Sequence, residues 1–392
     1  MIPVSEALDQ LFALAPVMPA ETVPLERALG RVLAQDVVTT RTQPPFAASA
    51  MDGYAVCEAT QGFTFTVIGE AAAGGGFAGS VAPGQAVRIF TGAPIPDGAT
   101  RVIIQEDVAR DGDRITVTED LGSGTHIRPA GADFGTGFFL QKGRILTPQD
   151  VALLAAMNSP DVPVLRKPQV AILPTGDELV MPGETPGPDQ IIASNSFGLA
   201  AMITQNGGSP RMLPIARDNR ASLEMGFNMA RDADLILTIG GASVGDHDLV
   251  APVAQALGLD MRFHKVAMRP GKPLMSGVFT DENTSSMLIG LPGNPVSAMV
   301  CGSVFVLPVL RTMLGQPAAP APRLTAWLRE PMGANGPREH YMRAHVKDSE
   351  ISADFSQDSS LLSVLSDANA LLVRPLHDEP RAAGDTISYI PL

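Results

Sequence analysis

Between Leu173 and Pro295, short apolar runs alternate with glycine-bearing turns and with stretches whose apolar positions recur at helical spacing. The runs Val170-Ala171-Ile172-Leu173, Leu235-Ile236-Leu237-Thr238-Ile239 and Met287-Leu288-Ile289 read as strands buried on both faces. Helices are expected over Ser194 to Gln205, Arg220 to Arg231, His247 to Leu257 and Val296 to Leu314. Such alternation forces right-handed crossovers and a parallel sheet, here spanning Pro168 to about Gly315.

The flanks have a different texture. Ser5 can cap a helix with Leu8, Leu11 and Phe12 on one face, and a second short helix is expected from Pro24 to Leu29. From Thr42 short β-rich runs take over: Phe63 to Ile68, Ala86 to Phe90, Arg101 to Gln105 and Arg114 to Thr118. Helical patterning returns at Pro148 to Met157 behind a Thr147 cap, so the β unit reads as an insertion in a discontinuous first domain. After a Pro/Ala-rich linker, Gln316 to Pro322, strand-length runs such as Leu324 to Leu328 and Tyr341 to Val346 suggest a small β barrel or sandwich. The expected domains are 1–42 with 134–165, 43–133, 166–315 and 316–392.

A chain of 392 residues, 45% apolar and 18% charged, is globular and long for one core. Its net charge of −13 argues against a nucleic-acid partner, which needs a basic face. Cys57 and Cys301 form neither a disulfide framework nor a metal pattern. Glycine and proline interrupt the apolar stretches around Ile289 and Phe305, and no export signal is visible. A cytoplasmic protein without a membrane span is therefore expected.

Chemistry concentrates where the expected strands end. Thr175-Gly176-Asp177-Glu178 sets two carboxylates beyond a strand, although a helix cap with a first-turn acid accounts for them as well. In Gly240-Gly241-Ala242-Ser243-Val244-Gly245-Asp246-His247-Asp248, glycines and Ser243 would form an anion nest that Asp248 approaches only through a cation. A tight turn explains two of these glycines but not Ser243 and Asp248 as well. Lys265, Arg269 and Lys272 bring positive charge to the same edge of an acidic chain. Leu291-Pro292-Gly293-Asn294-Pro295 is a rigid turn at the mouth of the crevice. Ligands of open parallel sheets collect there, so an oxyanionic or phosphorylated substrate with a divalent cation is the first reading. The six histidines make no i, i+4 pair for zinc, and no nucleophile elbow or P-loop lysine motif appears.

These turns occur in order with Ser49 to Val56, Thr91-Gly92-Ala93-Pro94, Gln105-Glu106, Arg128 to Asp133 and the segments around Arg343 and Ser363. Together they make nearly the whole chain resemble the molybdopterin molybdenumtransferase family, the MoeA-type enzymes similar to the E domain of gephyrin. The resemblance implies a multidomain α/β plus β fold. It comprises a central three-layer α/β domain with a mostly parallel sheet, an inserted β-rich domain, a helical hinge domain and a C-terminal β-barrel-like domain. It also implies a homodimer and a reaction that takes adenylyl-molybdopterin and molybdate, with Mg²⁺, to molybdenum cofactor and AMP.

By the same resemblance, Glu178, Asp218 and Asp248 are acidic site residues and metal ligands, and Asp52, Thr91 and Asp133 act with them. Substrate contacts fall to Arg128, Thr175, Gly176, Asp177, Gly240, Gly241, Ser243, Gly245, Lys265, Arg269, Lys272, Pro292, Pro295, Arg343 and Ser363, with Ser359, Ser360 and Ser366 close by as alternatives to the last. Two departures stand out: Pro174 precedes Thr175 where many relatives carry another threonine, and Arg269 stands where many have lysine. Adenylylation of molybdopterin, a gephyrin-like scaffold role and a tungstate preference are the alternatives. Transient contact with a molybdopterin adenylyltransferase and with apo-molybdoenzymes or their chaperones is also implied.

Overall fold

The computed structural model describes residues 1–241, 249–280 and 285–392. The chain divides into two compact units, Met1–Glu21 with Gly30–Val32 and Leu165–Leu392, and Thr22–Leu29 with Leu33–Val164.

In the smaller unit, a six-stranded sheet runs in the order Arg101–Ile104, Gly53–Val56, Gln85–Ile89, Thr64–Ala71, Arg114–Val117, Val108–Asp111. Residues alternate across it: Tyr54 and Val56 pack on one face with Phe65 and Ile115, and Ala55 on the other with Val87 and Ile89. Gly53 opens a central strand, where a Cβ would lie 1.9 Å from the Ile103 carbonyl oxygen. Close backbone approach, not a hairpin turn, demands that glycine. Around the sheet's base, Leu33, Phe134, Leu140, Leu146, Leu154 and Val164 form a separate core. The helix Pro148–Ala156 borders it, started by a reciprocal capping box between Thr147 and Asp150. The helix expected from Pro24 is a single 3₁₀ turn, Leu25–Arg27, too short to close an α-helical hydrogen bond.

The larger unit is built on a six-stranded sheet in the order Ser209–Met212, Gln169–Pro174, Leu235–Ile239, Ser285–Leu291, Met275–Thr280, Leu259–His264. The first four strands are parallel, and Met275–Thr280 runs antiparallel between its two neighbours. Continuous apolarity buries both faces. Ile172, Leu237 and Ile289 pack toward Leu199 and Val306, while Ala171, Ile236 and Leu288 pack toward Leu223, Phe227 and Val253.

The helical run Pro295–Met313 is 19 residues long and apolar enough by length and composition to cross a membrane, yet 83% of its most apolar 18-residue window is buried in the protein. It is the core helix of a folded domain. Contrary to the reading that Gly and Pro interrupt it, the run continues through Gly302 by a π turn, Gly302–Val306, before Leu307–Met313. Residues 1–21, expected with the hinge segment 134–165, cluster instead with the α/β unit, because Val4, Ala7, Leu8 and Leu11 are buried in its core.

The C-terminal strands close into a barrel. Glu339–Lys347 pairs with Glu350–Ala353 and also with Ala370–Arg374, which leads through Thr386–Pro391 and Leu324–Leu328 back to Glu350–Ala353. Met268–Arg269, from the α/β sheet's cationic loop, adds parallel to the outside of Glu339–Lys347.

Asp150 is the most exacting residue of the smaller unit. Its carboxylate is 3% exposed, accepts from the Thr147 amide and hydroxyl, and pairs with Arg144 at 2.7 Å. The Arg144 guanidinium holds its pKa below the ordinary carboxylate value. A lowered folded pKa means stability present above the unfolded value and lost as pH falls through the folded one. Asp150→Ala should therefore cost about 1–2 kcal/mol at pH 7, read as a lower urea midpoint, with the difference shrinking as pH falls through the lowered folded pKa. A parent-like midpoint at pH 7 would contradict this account of the cap.

Candidate functional site

The order of the α/β sheet reverses beside Gln169–Pro174: the chain moves outward to Ser209–Met212, then crosses to Leu235–Ile239. Thr175 and Gly240 therefore emerge side by side at the carboxyl end, where crevices form. The Thr175 amide donates to the Ile239 carbonyl at 2.9 Å, and the Gly240 amide to that of Leu291 at 3.1 Å. Gly240 and Gly241 have φ of 93° and 58°. A Cβ on Gly241 would fall 2.1 Å from Val250, so both conformation and space require glycine.

The two carboxylates after Gly176 diverge. Asp177 turns back: its Oδ1 accepts from the Asp218 amide at 3.1 Å while Asp218 Oδ2 accepts from the Asp177 amide at 3.4 Å. Arg217 braces the turn by donating to the carbonyls of Asp177 and Leu179. Glu178 faces a small cleft lined also by Thr175, Ser194, Asn195, Ser196, Gly293 and Pro295. Gly176 has φ of 146°, and a Cβ there would sit 2.4 Å from the exposed Glu178 carboxylate, which would have to swing aside. Ser243, Gly245 and Asp248 lie outside the described residues. Among the described residues no group of three acidic, histidine or cysteine side chains is placed to hold a metal.

The turn Leu291–Pro295 has a second side. There a cavity of about 380 Å³ is lined by Arg269, Lys272, Pro292, Asn294 and Ser297 of the α/β domain and by Arg338, Gln357, Asp358 and Ser359 of the barrel. Of the expected cations, Arg269 and Lys272 line it and are exposed. Lys265 stands at the root of the loop with φ of 90°, its amide bonded to Leu274 and its carbonyl to the Ile2 amide.

Two residues expected to reach in from the barrel lie elsewhere in this structure. Arg343 does not line the cavity. It is fully buried, and its guanidinium donates to the carbonyls of Gln357, Ser356 and Asp358 at 3.2, 3.0 and 2.9 Å. It shapes the loop that does line the cavity, while Arg338, five positions earlier, supplies the cation there. Ser363 is exposed on the helix Leu362–Asp367, and Ser359 reaches the cavity instead, accepting from Asn294 Nδ2 at 2.9 Å. Asp358 also borders the cavity, and the Ser360 amide and hydroxyl hold its carboxyl below the usual range. Arg338 and Ser297 carried no motif signal, whereas Ser359 is one of the serines near Ser363 that the sequence leaves open. Their common neighbour is set by the barrel closing against the α/β domain.

In the smaller unit, Asp52 Oδ1 accepts from the Thr91 amide and hydroxyl at 2.7 and 2.8 Å, which lowers its pKa. Arg88, not foreseen, donates to Gln105 at 2.6 Å and lies over the rings of Tyr54 and Phe90. Arg128 belongs to a short strand pairing with Ala48, and the Asp133 amide donates to the Gln43 carbonyl at 3.0 Å. Asp52 and Thr91 form one constellation; Arg128 and Asp133 are exposed beside other segments of the unit.

The cleft with Glu178 thus opens at the switch point of the parallel sheet, and the cavity with Arg269, Lys272 and Arg338 lies across the Leu291–Pro295 turn from it. The sequence matches the MoeA N-terminal region (domain I and II) over residues 2–158, a probable molybdopterin binding domain over 171–312 and the MoeA C-terminal region (domain IV) over 325–392. It is 34% identical to a molybdopterin molybdenumtransferase of Nostoc sp. (strain PCC 7120), covering 95% of this chain and 88% of that protein. The Bacillus subtilis (strain 168) molybdopterin molybdenumtransferase is 32% identical, with 99% and 94% covered. A solved structure of a molybdopterin biosynthesis MoeA protein from Pyrococcus horikosii superposes with a TM-score of 0.84 at 30% identity, over 100% of this chain and 99% of that one. The chain belongs to the molybdopterin molybdenumtransferase family, a family of transferases.

The two arginines should separate experimentally. Arg343→Lys cannot reproduce a fork to three carbonyls and should lose at least about 2 kcal/mol of stability, with faster amide exchange across residues 354–361. Arg338→Ala should leave that exchange unchanged and weaken anion binding. Equal exchange in both variants would remove the distinction.

Proposed function

We propose that this chain transfers molybdenum from molybdate to adenylyl-molybdopterin, releasing AMP. The observation that carries the reading is the cavity where Arg269, Lys272 and Arg338 meet the hydroxyl-bearing Ser297 and Ser359 in a chain of net charge −13. Molybdate is a tetrahedral dianion, and convergent charged and hydroxyl donors suit it. Arg269 offers a planar fork where lysine would offer a point charge, which fixes the anion's orientation more tightly. The adjoining cleft, with Thr175 and Glu178, opens at the switch point where the nucleotide phosphates belong by analogy with other open sheets.

Glu178 and Asp218 are hard oxygen donors of the kind Mg²⁺ takes, and they would hold it with Asp248. Bound there, Mg²⁺ supplies charge neutralisation as the phosphoanhydride breaks. Glu178 is then poised to orient water toward the phosphorus, and Asp177, tied to the Asp218 amide, keeps the turn in shape. Lys272 and Arg338 hold the oxyanion beside the dithiolene that receives it. The reading extends to a cytoplasmic homodimer to which Asp52, Thr91, Arg128 and Asp133 contribute, and to transient contact with the enzymes before and after it in cofactor assembly.

Mass spectrometry of adenylyl-molybdopterin incubated with protein, Mg²⁺ and molybdate tests the reading. AMP and molybdenum-loaded product should appear together and vanish when either ion is omitted. Formation of adenylyl-molybdopterin from ATP instead would assign adenylylation, and product only with tungstate would change the metal. Lys272→Ala should raise the half-saturating molybdate concentration by about 10–100-fold, with little change in melting temperature because the side chain is exposed. An unchanged molybdate titration would remove Lys272 from the site.

A further inference from the structure

His340 is the strand partner of Arg269, one of the cations that line the oxyanion cavity. Along Glu339–Lys347 burial alternates: Glu339, Tyr341 and Arg343 are buried on one side, and His340 and Met342 are half-buried on the other. Parallel pairing sets His340 directly beside Arg269, which lines the cavity, and Arg338 lies two residues before it. On its other flank His340 is paired with Arg374. Its ring makes no hydrogen bond to another described residue.

The charged groups around it are one-sided. Arg269 comes from the neighbouring strand, Arg338 and Arg343 from its own, and Arg374 from the strand opposite. The acids are engaged elsewhere: Glu339 pairs with Arg323, Asp378 with Arg374 and Arg381, and Asp358 with Ser360. Burial, reinforced by these arginines, pushes the His340 pKa down to about 4.

We propose that His340 is the proton-linked residue of the oxyanion site, uncharged while the cavity is empty and protonated when a tetrahedral dianion settles between Arg269, Lys272 and Arg338. The inference rests on reading this cavity as the oxyanion site. A neutral imidazole spares the empty site another positive charge. Two negative charges within several ångströms offset the arginine field and draw a proton to the ring. The added positive charge then exists only when a dianion is there to match it, which discriminates against monoanions such as chloride or nitrate. His340 acts through the field at the cavity and through Arg269, so it is a tuning residue, not a catalytic one.

Linkage makes this measurable. With a pKa near 4 the ring of the empty protein is only about 1% charged at pH 6. Calorimetric titration of the full chain with molybdate at pH 6, in buffers of different ionisation enthalpy, should show uptake of about half a proton per anion. Sulfate, a dianion of the same shape that stays unprotonated at this pH, should give the same uptake, showing that the proton goes to the protein. In His340→Gln the anion should still bind while the uptake falls at least about fivefold.

Histidine NMR on the unsubstituted protein supplies a second readout that does not depend on how the variant folds. The His340 resonance should titrate near pH 4 without anion and nearer neutrality with it. Binding without proton uptake, or uptake undiminished in His340→Gln, would overturn the inference and leave the oxyanion site standing. Absence of molybdate and sulfate binding altogether would overturn both.

Discussion

Like charges do not stay together unless something else holds them. The loop carrying Lys265, Arg269 and Lys272 is pinned by backbone hydrogen bonds from three directions. At its base the Lys265 amide reaches the Leu274 carbonyl and the Val266 amide reaches that of Lys272. On one flank Ile2 donates to Lys265 and accepts from Ala267, and on the other the Glu339 amide of the barrel donates to Ala267. Between these anchors Val266 and Met268 are wholly buried in the α/β core. The loop's conformation, including the positive φ of Lys265, is therefore set by packing and amide bonds that solvent charge cannot relax. The cations are left to face an anion.

The same logic explains why the barrel exists at this place. A parallel sheet's rim supplies amides, glycines and acids, but a dianion needs donors from the opposite side as well. Closure of the C-terminal sheet brings Arg338 and the loop 354–360 across the rim, and the buried Arg343 fixes that loop by binding its carbonyls. One arginine organises backbone and another lines the cavity. Their separation by five residues in the sequence hides how different their work is.

Glycine requirements divide in a similar way. Gly240 and Gly241 combine positive φ with backbone or side-chain atoms too close for a Cβ, because two strand ends and a helix converge at the switch point. Gly53 has no unusual φ and is required only because two strand backbones meet tightly. A glycine-rich motif in the sequence does not say which of these reasons applies.

Local pattern determined much of this protein. The short apolar runs before the glycine turns were legible as strands buried on both faces. The capped helix from Pro148, the parallel core of the α/β sheet, the barrel strands and the residues Thr175, Glu178, Arg269 and Lys272 follow from interactions within a few residues. What remained depended on surfaces far apart in the chain. The N-terminal helix joins the α/β core because its apolar stripe fits there, not because of the segment that follows it. Arg338 and Ser359 line the cavity while Arg343 is buried and Ser363 is exposed elsewhere, because barrel closure decides which side chains face it. A residue's neighbours within a strand or helix are written in its spacing, whereas its neighbours across a cavity exist only once the chain has folded.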